Sequence, residues 1–217
     1  DTGFPMAYPE QHFHWTWGLA ASPAALWPLV SNTDRFNRDC GYPPVSVVPG
    51  ASPHRRLRAV VMGLAIEWEE QAFEWLEPVR LAVARTYFSG PVARMVMRCE
   101  LIPRAGGGTT LNYDLRLTPA GLFGRLALPF SIGRQAKAAT ARVFRRYDEF
   151  ALQGRQASEL AQPPKLAAGA PERLVALSDA LVNRAQQPAV LVAQLTTFVT
   201  TADDHSNQRI RPYALAD

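Results

Sequence analysis

The side chains of this sequence best suited to chemistry are Arg85, Tyr87 and Tyr113, three polar groups set among apolar neighbours in alternating stretches. Arg85 shares a strand face with Val83 and Tyr87, where a guanidinium is costly unless it is paired. It can grip a ligand carboxylate or phosphate through two parallel N–H bonds, pair with Glu67 or Glu69, or reach solvent from a strand end. Tyr113 can offer its phenol to a ligand carbonyl or to a buried backbone group. Other chemistries are poorly served. There is no Gly-x-Ser-x-Gly elbow and no recognisable Ser/His or Cys/His motif. Gly106, Gly107 and Gly108 precede a strand and lack a following Lys-Ser/Thr, so they read as a hairpin turn rather than a phosphate cradle. His12 and His14 can share a strand face, but that strand carries no Cys, Asp or Glu to complete a metal set, which favours a structural role. Cys40 and Cys99 belong to no Cys-x-x-Cys pair and read as reduced thiols of a cytoplasmic protein.

These groups need a sheet to hold them. Phe13, Trp15, Trp17 and Leu19 alternate with His12, His14, Thr16 and Gly18, the pattern of a first strand with one buried face. Ser22-Pro23 opens a short helix through Leu26, Trp27 and Val30, and Asn32 caps a second that carries Phe36. A short strand at Val45–Val48 ends at Pro49-Gly50, and 55–66 reads as one strand continuing into 66–76. The apolar parity switches between Trp68 and the pair Phe73 and Trp75, which demands a bulge or turn near Glu69–Gln71. Leu81, Val83, Arg85 and Tyr87 then share one face, as do Met95, Met97, Cys99 and Leu101, and Leu111, Tyr113, Leu115 and Leu117. A helix is expected from about Phe130 to Gln156, its apolar stripe running through Ala136, Val143, Phe144, Tyr147 and Phe150.

Composition sets the outer limits. With 217 residues, 47% hydrophobic, the chain can bury a sizeable core and still carry an appendage. No stretch of about 18 uninterrupted apolar residues occurs, so no membrane span is expected. A net charge of +4 comes with basic clusters around His54-Arg55-Arg56 and from Arg134 to Arg146. Exposed aromatics are not interleaved with them, so these read as solvated faces and nucleic acid is not the expected partner. Residues 153–171, rich in Gln, Ala, Gly and Pro, read as a linker, and 172–217 as a helical segment. Leu174, Leu177 and Leu181, and Leu191, Leu195 and Phe198, give that segment apolar stripes that can dock on the domain or on a second chain in a homodimer. The start at Asp1-Thr2-Gly3 has neither an initiator Met nor a signal-peptide pattern and reads as an internal boundary.

Several strings resemble a known superfamily. Trp68-Glu69-Glu70, Phe73-Glu74-Trp75, Pro78-Val79-Arg80, Arg85 to Pro91, and the glycine turn leading to Thr109-Thr110 resemble START/Bet v 1-like (SRPBCC, polyketide-cyclase-like) domains over residues 10–152. The resemblance implies an α+β helix-grip fold: a curved antiparallel sheet around a long C-terminal helix, here with a small helical appendage. It also implies a pocket, which Trp15, Trp17, Trp68, Trp75 and Phe130 would line together with Tyr87, Met95, Met97, Tyr113 and Arg85. Large apolar side chains of this kind also pack solid cores, so the pattern alone does not separate wall from core. The tail, Arg209 to Asp217, is similar to the linker that precedes bacterial class III adenylate/guanylate cyclase domains. Together these imply a non-catalytic module that binds an apolar or amphipathic small molecule, without a cofactor, as the regulatory part of a signalling protein with a downstream cyclase domain. A polyketide cyclase/aromatase-like enzyme, or a protein-interaction scaffold with a filled core, are the alternatives.

Overall fold

The computed structural model describes residues 8–48, 55–61, 63–71, 74–160 and 168–202. Pro49-Gly50, His54, Phe73, His205 and the tail from Arg209 to Asp217 lie outside the described residues. The chain divides into two compact units after Arg155.

The first unit is α+β. Strand β1 (Gln11–Leu19) is followed by helices α1 (Pro23–Val30) and α2 (Thr33–Asp39), then by β2 (Val45–Val47), β3 (Arg55–Val61) and β4 (Leu64–Glu70). Strands β5 (Glu74–Leu76), β6 (Arg80–Tyr87), β7 (Val92–Pro103) and β8 (Thr109–Pro119) complete one curved antiparallel sheet. Its order is β1-β8-β7-β6-β4-β3-β2, with β5 paired to β6. Chain reversals between sequential strands build most of the sheet, and the first strand, β1, pairs with the last, β8, with Trp15 opposite Tyr113.

Local chemistry explains the connector helices. The Ser22 side chain accepts from the Ala25 N–H while Pro23 takes the first helical position, where its missing N–H costs nothing. Asn32 caps α2 by accepting from the Arg35 N–H. The turn between β7 and β8 holds Gly107 and Gly108 at φ of +91° and +81°. A Cβ on Gly108 would lie 2.4 Å from the Leu19 carbonyl oxygen, so only glycine lets this turn close on the end of β1. Arg104 donates to the same Leu19 carbonyl at 2.8 Å, and Thr109 to that of Ala21 at 2.7 Å.

Two expectations need correction and a third is met. Residues 55–66 are not one strand: a tight hairpin separates β3 from β4, with Gly63 at φ +83° in the turn. The parity switch is the expected irregularity: four steps from Glu70 to Glu74 oppose three from Arg85 to Ala82 on β6, where β4 gives way to β5. The long helix starts earlier than Phe130 and ends at Leu152: α3 (Leu122–Phe130) runs into a π-helical stretch (Ser131–Ala136) and on into α4 (Lys137–Leu152). Pro129 lacks the N–H that would bond the Arg125 carbonyl, and the Gln11 side chain supplies the donor instead at 2.9 Å.

The core gathers where α4 crosses the sheet. Phe144 and Tyr147 are fully buried, with Leu26, Leu101 and Leu111 beside them in the same class. The Phe144 ring stands 5.1 Å from Trp17 and 5.1 Å from Phe36. The Asp148 carboxylate accepts the Ala20 and Ala21 N–H groups at 2.9 and 2.7 Å, pinning α4 to the end of β1. Asp39 ties α2 to the same helix through Tyr147 and Arg146.

The second unit holds a short 3-10 turn (Ala157–Leu160) inside the expected linker, then α5 (Ala170–Asn183) and α6 (Ala189–Thr201). These two helices pack on each other, with Val192 buried and the Ser178 and Thr196 hydroxyls 3.0 Å apart.

Candidate functional site

Alternation on β6, β7 and β8 turns the odd-numbered side chains to the concave face, and part of that face stays uncovered by α4. There the first unit encloses a cavity of about 310 Å³. Ala59, Ile66 and Trp68 form one wall, Val83, Met95 and Met97 the floor, and Tyr113, Leu115 and Leu117 the side toward β1. Helix α2 contributes Thr33, Phe36 and Asn37, while Leu128, Ser131 and Ile132 close it from the α3 and π-helical stretch. Tyr42 and Val45 stand at the rim, more than a third exposed.

The polar groups concentrate in one corner. Arg85 Nε donates to Glu70 Oε2 at 2.7 Å, and both side chains are withdrawn from solvent, 16% and 6% exposed. Arg85 lies opposite Glu70 in the β4–β6 register, so its partner is neither Glu67 nor Glu69. Burial works against the guanidinium charge, but Glu70, with Tyr87 behind it, outweighs that cost and leaves the Arg85 pKa above its ordinary value. The guanidinium also lies 5.7 Å from the Trp68 ring centroid. Burial raises the Tyr87 pKa while Arg85 opposes it, and the Tyr87 hydroxyl points to Met95 Sδ at 3.8 Å.

Tyr113 differs from the other polar groups. Its ring stacks on Trp15 at 5.9 Å with only 9° between planes, and contacts Phe36 and Phe144. Its hydroxyl makes no hydrogen bond among the described residues, and burial pushes its pKa far up, so it stays a neutral donor. The two thiols are equally un-ionised: burial raises Cys40 to about 12 and lifts Cys99 further, which suits neither to nucleophilic attack.

Of the residues expected to line a pocket, the cavity wall includes Trp68, Arg85, Tyr87, Met95, Met97 and Tyr113. Trp15 is buried behind Tyr113, and Trp17, half-buried, stands against Phe144. Trp75 is on β5, away from the cavity, and Phe130 is 58% exposed on α3. Phe36, Asn37, Tyr42 and Leu128 line the cavity without having been anticipated. For Phe36 and Asn37 the signal was the short capped helix α2, whose side facing the sheet no periodicity could fix over so few turns.

No family model matches the sequence, and no curated protein does. Solved structures do match. The Zhui aromatase/cyclase from Streptomyces sp. R1128 aligns at TM-score 0.51 and 15% identity, over 65% of this chain and 96% of that one. The di-domain ARO/CYC StfQ from the steffimycin biosynthetic pathway aligns at 0.51 and 8% identity, over 66% of this chain and 52% of that one. Norcoclaurine synthase from Thalictrum flavum aligns at 0.46 and 15% identity, over 67% and 88%. The fold is the helix grip. One expectation falls with this finding: the claim that the segment is no enzyme cannot be kept, because structures sharing the helix-grip fold include aromatase/cyclases. The similarity of the tail to a cyclase linker gains no support from these comparisons.

Proposed function

We propose that the helix-grip unit binds a neutral, ring-bearing apolar molecule carrying a carbonyl or hydroxyl oxygen, and that Tyr113 donates to that oxygen. The observation that carries this reading is the cavity of about 310 Å³ with the unpaired Tyr113 phenol in its wall. Protein interiors normally close such volumes, and this one is far larger than the ~30 Å³ share of a single water. An acidic ligand is the poorer fit: Arg85 is already neutralised by Glu70, and a carboxylate would have to compete for it inside a low-dielectric corner.

Turnover is a second reading, favoured by Tyr113. A neutral phenol in the cavity wall can donate to a carbonyl as oxyanion character develops on it, the demand made by aldol-type ring closure and dehydration. A regulatory role upstream of an adenylate/guanylate cyclase domain is supported only by the resemblance at residues 209–217.

Native mass spectrometry of the purified chain, beside denaturing extraction of the same sample, tests the binding reading. One small molecule per chain, neutral and ring-bearing, is the expected result. A chain that carries nothing and gains no thermal stability from aromatic ketones or phenols overturns it. Incubation with a linear poly-β-ketone thioester then separates binding from turnover, because only an enzyme releases a cyclised product.

A further inference from the structure

We propose that His12, His14 and Asp114 form a zinc-type transition-metal site on the outer face of the sheet, across β1 and β8 from the cavity. The register puts His14 directly opposite Asp114, and His12 two residues along on the same face. Both imidazoles converge on one carboxylate oxygen: Asp114 Oδ2 lies 2.7 Å from His12 Nε2 and 3.2 Å from His14 Nδ1. The three candidate ligand atoms all fall within 4.8 Å of one another. In a tetrahedral zinc site with bonds of about 2.0–2.2 Å, neighbouring ligand atoms stand roughly 3.3 Å apart. The His14 side already fits, and His12, half exposed, has room to move the rest.

Hydrogen-bond bookkeeping distinguishes this trio from an ordinary surface cluster. Thr16 gives its hydroxyl hydrogen to Asn112 Oδ1 at 2.9 Å. The 3.3 Å contact between Thr16 Oγ1 and His14 Nε2 therefore needs its hydrogen from the imidazole. With Nε2–H turned to Thr16, a ligating His14 presents the Nδ1 lone pair toward Asp114 Oδ2, the arrangement that a shared cation requires. Thr16 then plays the part usual around metal sites, accepting the free N–H of a ligating histidine and fixing its ring. Arg116 Nε approaches the other carboxylate oxygen, Oδ1, at 3.4 Å, which leaves Oδ2 to the histidines. Two imidazoles and one carboxylate suit zinc, with the open fourth position taken by water. The sequence hid this set because its acidic member lies 100 residues from His14 along the chain.

The test is titration of the chelator-treated full chain with Zn²⁺ by calorimetry and with Co²⁺ by visible absorption. One ion per chain and tetrahedral Co²⁺ bands are expected in the wild type and in a His54→Gln/His205→Gln variant. Binding should vanish in His14→Ala and in Asp114→Asn, with circular dichroism unchanged because all three side chains are on the surface. Thr16→Val should weaken it about 10-fold, by releasing the His14 tautomer. No stoichiometric uptake, or uptake that survives His12→Ala/His14→Ala, overturns the proposal. The second outcome would assign the ion to another part of the chain.

Discussion

The two ends of the concave sheet face are written in the same alternating code yet differ in what they hold. Toward β1, Trp15, Trp17, Leu19 and Leu111 meet α4 and α1, and Phe144 fills the space between them with no exposed surface. Toward β3 and β4, Ala59, Trp68, Val83 and Met97 face α2, α3 and the π-helical stretch across a cavity. The side-chain alternation of a strand decides which way a residue points. What stands opposite decides whether it is core or wall, and that is set by where a long aromatic-bearing helix crosses the sheet.

Substitutions at the two ends should separate accordingly. Phe144→Ala removes the central ring of the packed end and should cost about 3–5 kcal/mol in urea or guanidinium denaturation. A loss under ~1 kcal/mol would mean that this end is loosely packed as well. Arg85→Met should come next. It strands the Glu70 carboxylate in a buried site, at a cost of about 3–5 kcal/mol if Glu70 stays charged, and Glu70→Gln in the same chain should recover most of it. The single substitution therefore cannot serve as a clean probe of ligand binding.

A matched pair sharpens the comparison further. Ala21→Leu in the packed end should cost about 1–3 kcal/mol by overpacking. Ala59→Leu adds the same bulk to the cavity wall and should change stability by no more than about 0.5 kcal/mol while reducing ligand capacity. Equal costs at both sites would erase the distinction between the two ends. The smallest effect on stability is expected for Tyr113→Phe, which deletes a hydroxyl with no hydrogen-bond partner among the described residues. Thermal melts should barely move, while affinity for a carbonyl-bearing ligand falls by about one hydrogen bond, ~1 kcal/mol.

Much of this fold was legible because its strands are long and half-buried. The alternation from Leu81 to Leu117 placed Arg85, Tyr87, Met95, Met97 and Tyr113 on one face, and the structure keeps them there. Capping residues located α1 and α2 for the same local reason. What escaped was everything that depends on register between strands. The hairpin at Gly63 was hidden because a single glycine among apolar residues leaves little turn signal, so 55–66 looked continuous. With that turn unseen, the pairing of Glu70 with Arg85 could not be placed, and Glu67 and Glu69 seemed equal candidates. The convergence of Asp114 on His12 and His14 was invisible for the same cause, since every other strand of the sheet lies between β1 and β8 in sequence. Trp15 and Trp17 carried the right parity for a wall, but parity does not reveal that Phe144 fills the space in front of Trp17.

The central claim, an open ligand-binding cavity at one end of a face that is solid at the other, is tested most directly by methyl NMR. Chain labelled at the methionine ε-methyl carbons should be titrated with a two-ring aromatic ketone such as 1-acetylnaphthalene. Saturable shifts are expected at Met95 and Met97, which touch the cavity. Unshifted Met95 and Met97 signals for this probe and for related aromatic ketones and phenols would contradict it.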